Sequence, residues 1–419
     1  MSAAPADPEA SGVRYQANAA ARGESAARGE SAAFASALPS ASTAIEAKMP
    51  TTTAFAVEAY KKLAAQPGNV AFSPFSIAAS LAMTYGGAEG VTADEIRGVV
   101  WGRSPTSDVH AAYGPLLAAW ATDQGPGMEL RVANRLFGDK SSSFQPAFLA
   151  LTKGAYRAEL LPVDFRGASN RARQTINTWV AGETKNRIEN LLGPGTVHAA
   201  TRLVLVNALY FKGQWAHPFD ATQTRTGAFT TARGAKVRVP MMQAQRSGFW
   251  HASPEVMVVE FPYAGGKLVM DILLPRDAKG LPALEASLTP DNLDKWTHQV
   301  GPGRLDIKLP RFRLAAAEST RLRPLLESLG IRKAFRPNEA EFGAMSRQER
   351  LWIDDVIHQT FVEVNEEGAE AAAATATTMR VYSAPKVETF HVDRPFMFVI
   401  RDKPSDQILF FGRVEDPSL

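Results

Sequence analysis

Asn365-Glu366-Glu367-Gly368-Ala369-Glu370-Ala371-Ala372-Ala373-Ala374-Thr375-Ala376-Thr377-Thr378 lies between two strand-like segments, residues 357–364 and 395–400. The run has no large apolar side chain to build a core, and no Pro or repeated Gly to make it a linker. Read as a strand, it alternates between two faces. One face carries Ala369, Ala371, Ala373, Thr375, Thr377 and Met379, without a charge. The other carries Glu370, Ala372, Ala374, Ala376, Thr378 and Arg380, and takes every charge in the segment. Such a strand is small enough to enter a sheet that is already packed. A solvated helix is the competing reading, because Ala and Glu are good helix formers. Taken alone, the run leaves both open.

The surrounding chain has 419 residues, 45 % hydrophobic and 21 % charged, as in ordinary globular proteins. One large domain with a sizeable core is compatible with this length. A net charge of +3 gives no reason to invoke nucleic acid or an anionic membrane as partner. There is no Cys, which excludes disulfides, thiolate metal sites and a Cys nucleophile. No window approaches the roughly 18 apolar residues of a membrane span. Met1-Ser2-Ala3-Ala4-Pro5 does not open an intact signal peptide, and a start after a removed signal fits it equally well.

Residues 1–49 are rich in Ala, Ser, Gly, Arg and Glu. The hexamer Ala21-Arg22-Gly23-Glu24-Ser25-Ala26 recurs as Ala27-Arg28-Gly29-Glu30-Ser31-Ala32. This predicts a low-complexity disordered tail. From residue 50 the pattern is that of a single domain reaching residue 419. Helices are predicted over 53–63, 92–101, 170–186 and 320–329, and over 74–85 after Ser73-Pro74, an N-cap followed by Pro. Strands are predicted over 130–137, 202–211, 304–314, 357–364, 396–401 and 407–413. Residues 256–262 and 267–274 read as a hairpin around Ala264-Gly265-Gly266. Helices dominate early and strands late, so the fold class is α+β with large sheets.

Local catalytic motifs are absent. The seven His show no His-Glu-x-x-His or other tight metal spacing, so no metal is expected. There is no Gly-x-Ser-x-Gly elbow, P-loop or dinucleotide Gly-x-Gly-x-x-Gly. A triad assembled from distant residues stays open at this point.

Several segments together resemble the serpin family. They are residues 69–77 (Asn-Val-Ala-Phe-Ser-Pro-Phe-Ser-Ile), 133–137 (Ala-Asn-Arg-Leu-Phe) and 206–215 (Val-Asn-Ala-Leu-Tyr-Phe-Lys-Gly-Gln-Trp). The run after Asn365, Arg394-Pro395-Phe396 and Phe411-Gly412-Arg413-Val414 complete the set in the family's order. The resemblance covers residues 50–419 and is to an inhibitory member, with a bacterial source expected. It implies three sheets, about nine helices and an exposed reactive-centre loop over residues 366–390. It also implies suicide inhibition of serine proteases. A protease attacks a bait bond in the loop and forms a covalent acyl-enzyme. The cleaved loop then enters the largest sheet as a new strand and drags the protease with it.

What the family implies can be placed on this chain. The hinge is Glu366, Glu367, Gly368, Ala369, Glu370, Ala371, Ala372, Ala373 and Ala374, with Gly368 as pivot. The family register puts the bait fourteen residues past Gly368, at Tyr382-Ser383. Tyr382 would suit a chymotrypsin-like pocket. Arg380-Val381 is the alternative bond and would suit a trypsin-like protease; Met379-Arg380 is a third. Inserting residues 369–382 would add roughly 46 Å of strand. Small uncharged side chains at Ala369, Ala371 and Ala373 spare the sheet a cavity or a buried charge.

Ser73, Ser76, Asn207 and His358 match the polar shutter beneath the sheet. Trp215, Arg311 and Glu366 match the breach where the loop enters, and the Arg311–Glu366 pair, if exposed, would contribute about 0–1 kcal/mol. Trp179 and its helix would overlie the sheet and must yield to insertion. Residues 104–125 have almost no basic residue, so no heparin-type cofactor is expected, nor any other cofactor. The expected partner is a target serine protease, bound by a monomer, without nucleic acid or membrane. An extracellular or periplasmic setting is expected, with the cytoplasm left open. The second reading is a non-inhibitory binding protein or chaperone of the same fold, though four consecutive Ala in the hinge favour inhibition. The third, a hydrolase, has no supporting motif.

Overall fold

The computed structural model describes residues 50–102, 106–122, 128–315, 319–368 and 386–419. The repeats of residues 1–49 lie outside them. Nine α-helices occur among the described residues. They are α1 (Thr53–Leu63), α2 (Pro74–Tyr85), α3 (Gly90–Trp101), α4 (Thr106–Thr122), α5 (Pro146–Tyr156), α6 (Phe165–Glu183), α7 (Leu281–Ala286), α8 (Pro290–His298) and α9 (Arg323–Leu329). The first strands are β1 (Val70–Phe72), β2 (Met128–Asp139), β3 (Leu160–Val163), β4 (Leu203–Gly213), β5 (Arg225–Thr230), β6 (Lys236–Ala252), β7 (Val256–Pro262) and β8 (Leu268–Pro275). They are followed by β9 (Gly301–Pro310), β10 (Phe312–Ala315), β11 (Thr320–Arg321), β12 (Ile357–His358), β13 (Phe361–Val364), β14 (Val387–His391), β15 (Phe396–Asp402) and β16 (Gln407–Val414).

The mixed α+β class is as expected. Nine strands form the largest described sheet, in the order β1-β16-β15-β8-β7-β6-β9-β14 with β5 paired to β6. A three-stranded sheet runs β3-β2-β4, and β10-β13 and β11-β12 are separate pairs. Helix α2 starts as its sequence dictates. The Ser73 side chain accepts a hydrogen bond from Ser76 N–H, and Pro74 occupies the first turn. All of α2 is buried, so it serves as a central post rather than an amphipathic surface helix. A second apolar cluster lies under α6, where Ile176 and Val180 meet Phe137 and Val206 of the three-stranded sheet.

Four expectations need correction. The strand predicted over 304–314 is two strands, β9 and β10, in different sheets. Pro310 ends β9, and Arg311 turns out of it while its N–H donates to the Pro240 carbonyl at 2.9 Å. The helix predicted over 320–329 begins only at Arg323, because Pro324 fits a first helical turn and residues 320–321 pair with β12. Residues 357–364 break into β12 and β13 at Gln359-Thr360, where the Thr360 hydroxyl leaves the ladder to donate to the Ala71 carbonyl at 3.0 Å. Last, the loop is expected to enter the largest sheet, yet the strand ahead of it, β13, pairs with β10 and not with the nine-stranded sheet.

This topology positions the site. Strand β13 lies alongside β4, yet among the described residues no backbone hydrogen bond joins β4 to β12 or β13. A cavity of about 210 Å³ lies between the start of β4 and the segment leading into β12, lined by Leu203 and Val206 and by Trp352 and Ile357. Strand β14, which follows the run, pairs in parallel with β9 at the edge of the nine-stranded sheet.

Candidate functional site

Strand β13 ends at Val364, and the next four residues fold into a tight turn. Gly368 N–H donates to the Asn365 carbonyl at 3.2 Å, and Glu367 N–H to the Asn365 side-chain Oδ1 at 3.1 Å. The turn is pinned to the residues just past β4. Trp215 Nε1–H donates to the Asn365 carbonyl at 2.9 Å. Trp215 N–H donates to the Glu367 carbonyl at 2.9 Å, and Phe219 N–H to the Glu366 carbonyl at 2.8 Å. Trp215 is buried and stacks on Tyr263, with ring centroids 4.5 Å apart and planes 14° from parallel.

Gly368 has φ +92°, and a Cβ there would sit 2.3 Å from the Gly213 carbonyl oxygen and 2.5 Å from Trp215 N. Both obstacles are backbone and cannot swing aside. The position therefore requires Gly on two independent grounds. It is the last described residue before the Ala run.

Arg311 and Glu366 come together, but not as a surface pair. The Glu366 side chain is only 6 % exposed, against 43 % for Arg311. Glu366 Oε1 accepts from Arg311 Nε at 2.7 Å, lies 2.6 Å from Arg311 Nη2, and also accepts from the Thr224 hydroxyl. Desolvation pushes the Glu366 carboxyl up, but the hydrogen bonds from Arg311 and Thr224 and the guanidinium charge outweigh it and hold it below the usual carboxylate range. Removing Arg311 would strand a buried carboxylate, which costs more than losing an exposed pair.

The shutter residues also meet in part. Ser73 N–H donates to His358 Nε2 at 3.0 Å, and Ser76 N–H to Ser73 Oγ at 3.0 Å. Burial pushes the His358 pKa down to about 4. The ring is thus neutral at pH 7, with Nε2 the acceptor and the proton on Nδ1. Asn207 lies on β4 opposite Asn134, and its side chain is outside the described residues. So are Ala369, Glu370, Ala371, Ala372, Ala373, Ala374 and both candidate bonds, Tyr382-Ser383 and Arg380-Val381.

Sequence reasoning misses Thr224, Phe219 and Tyr263, which complete the clamp from distant parts of the chain. Only Gly213, inside the segment Phe211-Lys212-Gly213-Gln214-Trp215, carries a local signal. The described residues bring one trio of metal-ligand type together, Asp294, His298 and Asp406. None belongs to this site, and the two ring nitrogens of His298 already pair with the two carboxylates, each at 3.2 Å.

Two outcomes follow from this geometry. Gly368→Ala should cost about 1–3 kcal/mol through strain and overpacking. Chemical denaturation would show the loss, and a red-shifted Trp emission would report Trp215 leaving Asn365. His358 predicts a pH dependence. The unfolded chain takes up a His proton near pH 6.5, whereas the folded chain does so only near pH 4. The stability from neutral His358 is complete above about pH 6.5 and is lost as pH falls toward 4, by about 3 kcal/mol in all. His358→Gln keeps an acceptor for Ser73 but cannot titrate, so the difference between the two proteins should shrink on acidification. His110, which burial also pushes down to about 4, titrates in both and cancels. A pH-independent difference would rule the assignment out.

Comparison with known proteins agrees with this geometry. A family profile described as "Serpin (serine protease inhibitor)" matches residues 50–417. Leukocyte elastase inhibitor A of Mus musculus is 40 % identical over 375 residues, covering 87 % of this chain and 98 % of the relative. Among solved structures, maspin superposes with a TM-score of 0.81 at 27 % identity, covering 90 % of this chain and 100 % of maspin. A thyroxine-binding globulin complex with thyroxine gives 0.77 at 28 % identity, covering 87 % and 98 %. With the profile spanning nearly all of the described residues, and a relative this similar over almost its whole length, the chain belongs to the serpin family.

Proposed function

We propose that this serpin is a suicide inhibitor of serine proteases with chymotrypsin-like specificity. One observation carries the reading. The turn Asn365-Glu366-Glu367-Gly368 is fastened beside the hydrogen-bonding edge of β4, immediately ahead of a run whose one face is only Ala, Thr and Met. A strand released there would run beside β4, and it carries no side chain that resists entry.

In this reading the serine Oγ of the protease attacks the Tyr382 carbonyl carbon. The ester bond forms, the Tyr382–Ser383 amide breaks, and Ser383 leaves as a free amine. Residues 369–382 then add between β4 and β13, with Gly368 as the pivot. The turn at Asn365–Gly368 opens, and the positive φ of Gly368 is no longer required. The name of the murine relative points to an elastase as its target, and Tyr382 adapts this chain to a pocket that takes an aromatic ring. Arg380-Val381 is the alternative bond and would direct it to trypsin-like enzymes. The thyroxine complex is of a thyroxine-binding protein of this fold, which keeps a non-inhibitory binding protein or chaperone as the second reading. Four consecutive Ala in the hinge favour inhibition over that second reading.

The proposal extends to the remaining expectations. The inhibitor acts as a monomer in a one-to-one covalent complex, without a heparin-type cofactor. Residues 1–49 act as a spacer outside the domain. The murine relative lends nothing to a bacterial source, and its name does not bear on the compartment.

Mixing the protein with chymotrypsin and with trypsin should give a complex that survives denaturing gels, formed fastest with chymotrypsin. Mass analysis of the released fragment should begin at Ser383. Clean cleavage without a complex would sink the inhibitory reading for these proteases, and a fragment beginning at Val381 would move the bond. Ala371→Arg puts a charge on the face that enters the sheet. It should turn inhibitor into substrate, cutting complex yield at least tenfold while cleavage continues.

A further inference from the structure

Strand alternation places Phe361 on the outer face of β13, with Glu363, and opposite to Val362 and Val364. Glu363 is exposed, as that face requires, yet Phe361 is only 6 % exposed. Two guanidinium groups account for part of its cover. Arg187 and Arg313 each lie over the Phe361 ring, both 5.0 Å from its centroid. This is within the range of a cation–π contact.

The two arginines belong to different bodies. Arg313 is on β10, which is hydrogen-bonded to β13 in register Arg313 opposite Glu363. Arg187 belongs to the segment after α6. Lys185 and Asn186, both at positive φ, turn the chain back there, and Asn186 N–H and Arg187 N–H are bound to the Ala181 and Thr184 carbonyls at 2.7 and 2.9 Å. The returning segment is fixed to its helix, because Asn177 on α6 donates to the Leu192 carbonyl at 2.9 Å and accepts from Leu192 N–H at 2.8 Å. Helix α6 packs on β2 and β4 through Phe137, Val204 and Val206. Arg187 therefore reaches from the β4 side to the β13 side, across the line where the described strands share no hydrogen bond.

We propose that Arg187 is a positioning residue that latches the two halves of the sheet and sets the rate of strand entry. The inference rests on the insertion reading above. A strand added between β4 and β13 moves them apart by about 4.8 Å. That displacement carries Phe361 beyond reach of Arg187, so the contact must break before or during entry. Arg313 travels with Phe361, and its contact survives. Equal distances from one ring thus have unequal consequences. His198 and Asp354, paired at 3.3 Å, form a second tie on the same crossing, so loss of Arg187 eases opening without abolishing closure.

The test compares Arg187→Ala with Arg313→Ala in the full chain. Both arginines are exposed, so both variants should fold. The probe is a synthetic peptide of residues 369–382, whose uptake is followed by the rise in thermal stability of the product. Arg187→Ala should take up the peptide about two- to fivefold faster than the unaltered chain, and Arg313→Ala at the unaltered rate. Its complex with chymotrypsin should form with less protein lost to cleavage. Equal rates in all three proteins, or equal acceleration by both substitutions, would overturn the latch while leaving insertion intact. Failure of the unaltered chain to take up the peptide at all overturns insertion, and the latch with it.

Discussion

The hydrogen bond from the Trp215 indole to the Asn365 carbonyl joins the end of β4 to the end of β13. Below it, among the described residues, these strands stand side by side without a ladder. The clamp around Trp215 is therefore the fixed end of a sheet that is otherwise divided. Its strength comes from convergence. One indole and two backbone N–H groups hold the turn, while Arg311 and Thr224 hold the Glu366 carboxylate inside it. Each hydrogen bond contributes about 1 kcal/mol net, but breaking any one leaves a buried polar group unmatched, at a cost of about 1–3 kcal/mol. The turn is stable as a unit and opens as a unit.

A division of this kind asks two things of the surrounding structure. It must keep the halves in register, and it must not weld them together. The buried histidine at the base meets the first demand. Ser73 N–H finds its acceptor on His358, so the cap of α2 is tied to the strand pair β11-β12. The second demand explains why the contacts across the division are side-chain contacts. A cation over a ring, or a half-exposed histidine–aspartate contact, separates without leaving a row of unsatisfied backbone groups.

Legibility from the sequence follows the range of the interaction. The start of α2 is readable because Ser73, Pro74 and Ser76 satisfy one another within four residues. The alternation after Gly368 is readable for the same reason. The break at Arg311 is only half legible: Pro310 marks an end to β9, but the change of sheet that follows depends on the distant Pro240 carbonyl and Glu366. Glu366 shows the same limit in its energetics. Its partner is legible from the family pattern, but its burial depends on Thr224 and Phe219, some 140 residues away in sequence. Phe361 is hardest of all, because nothing in its own strand says that two arginines will cover it.

Strand β15 lies between β8 and β16, and β16 also pairs with β1, so the C-terminal strands are interior members of the nine-stranded sheet rather than an appendage. A cut at residue 382 would divide the covalent chain in two, yet the smaller piece would supply two nearly fully buried strands to the core of the larger. With no Cys anywhere, no disulfide would join the pieces; packing, ladder hydrogen bonds and buried ion pairs such as Arg401 with Asp271 and Glu260 would hold them together. The cut molecule is in effect a heterodimer made from one chain. Its two parts should co-purify under native conditions and come apart only when the core itself is unfolded.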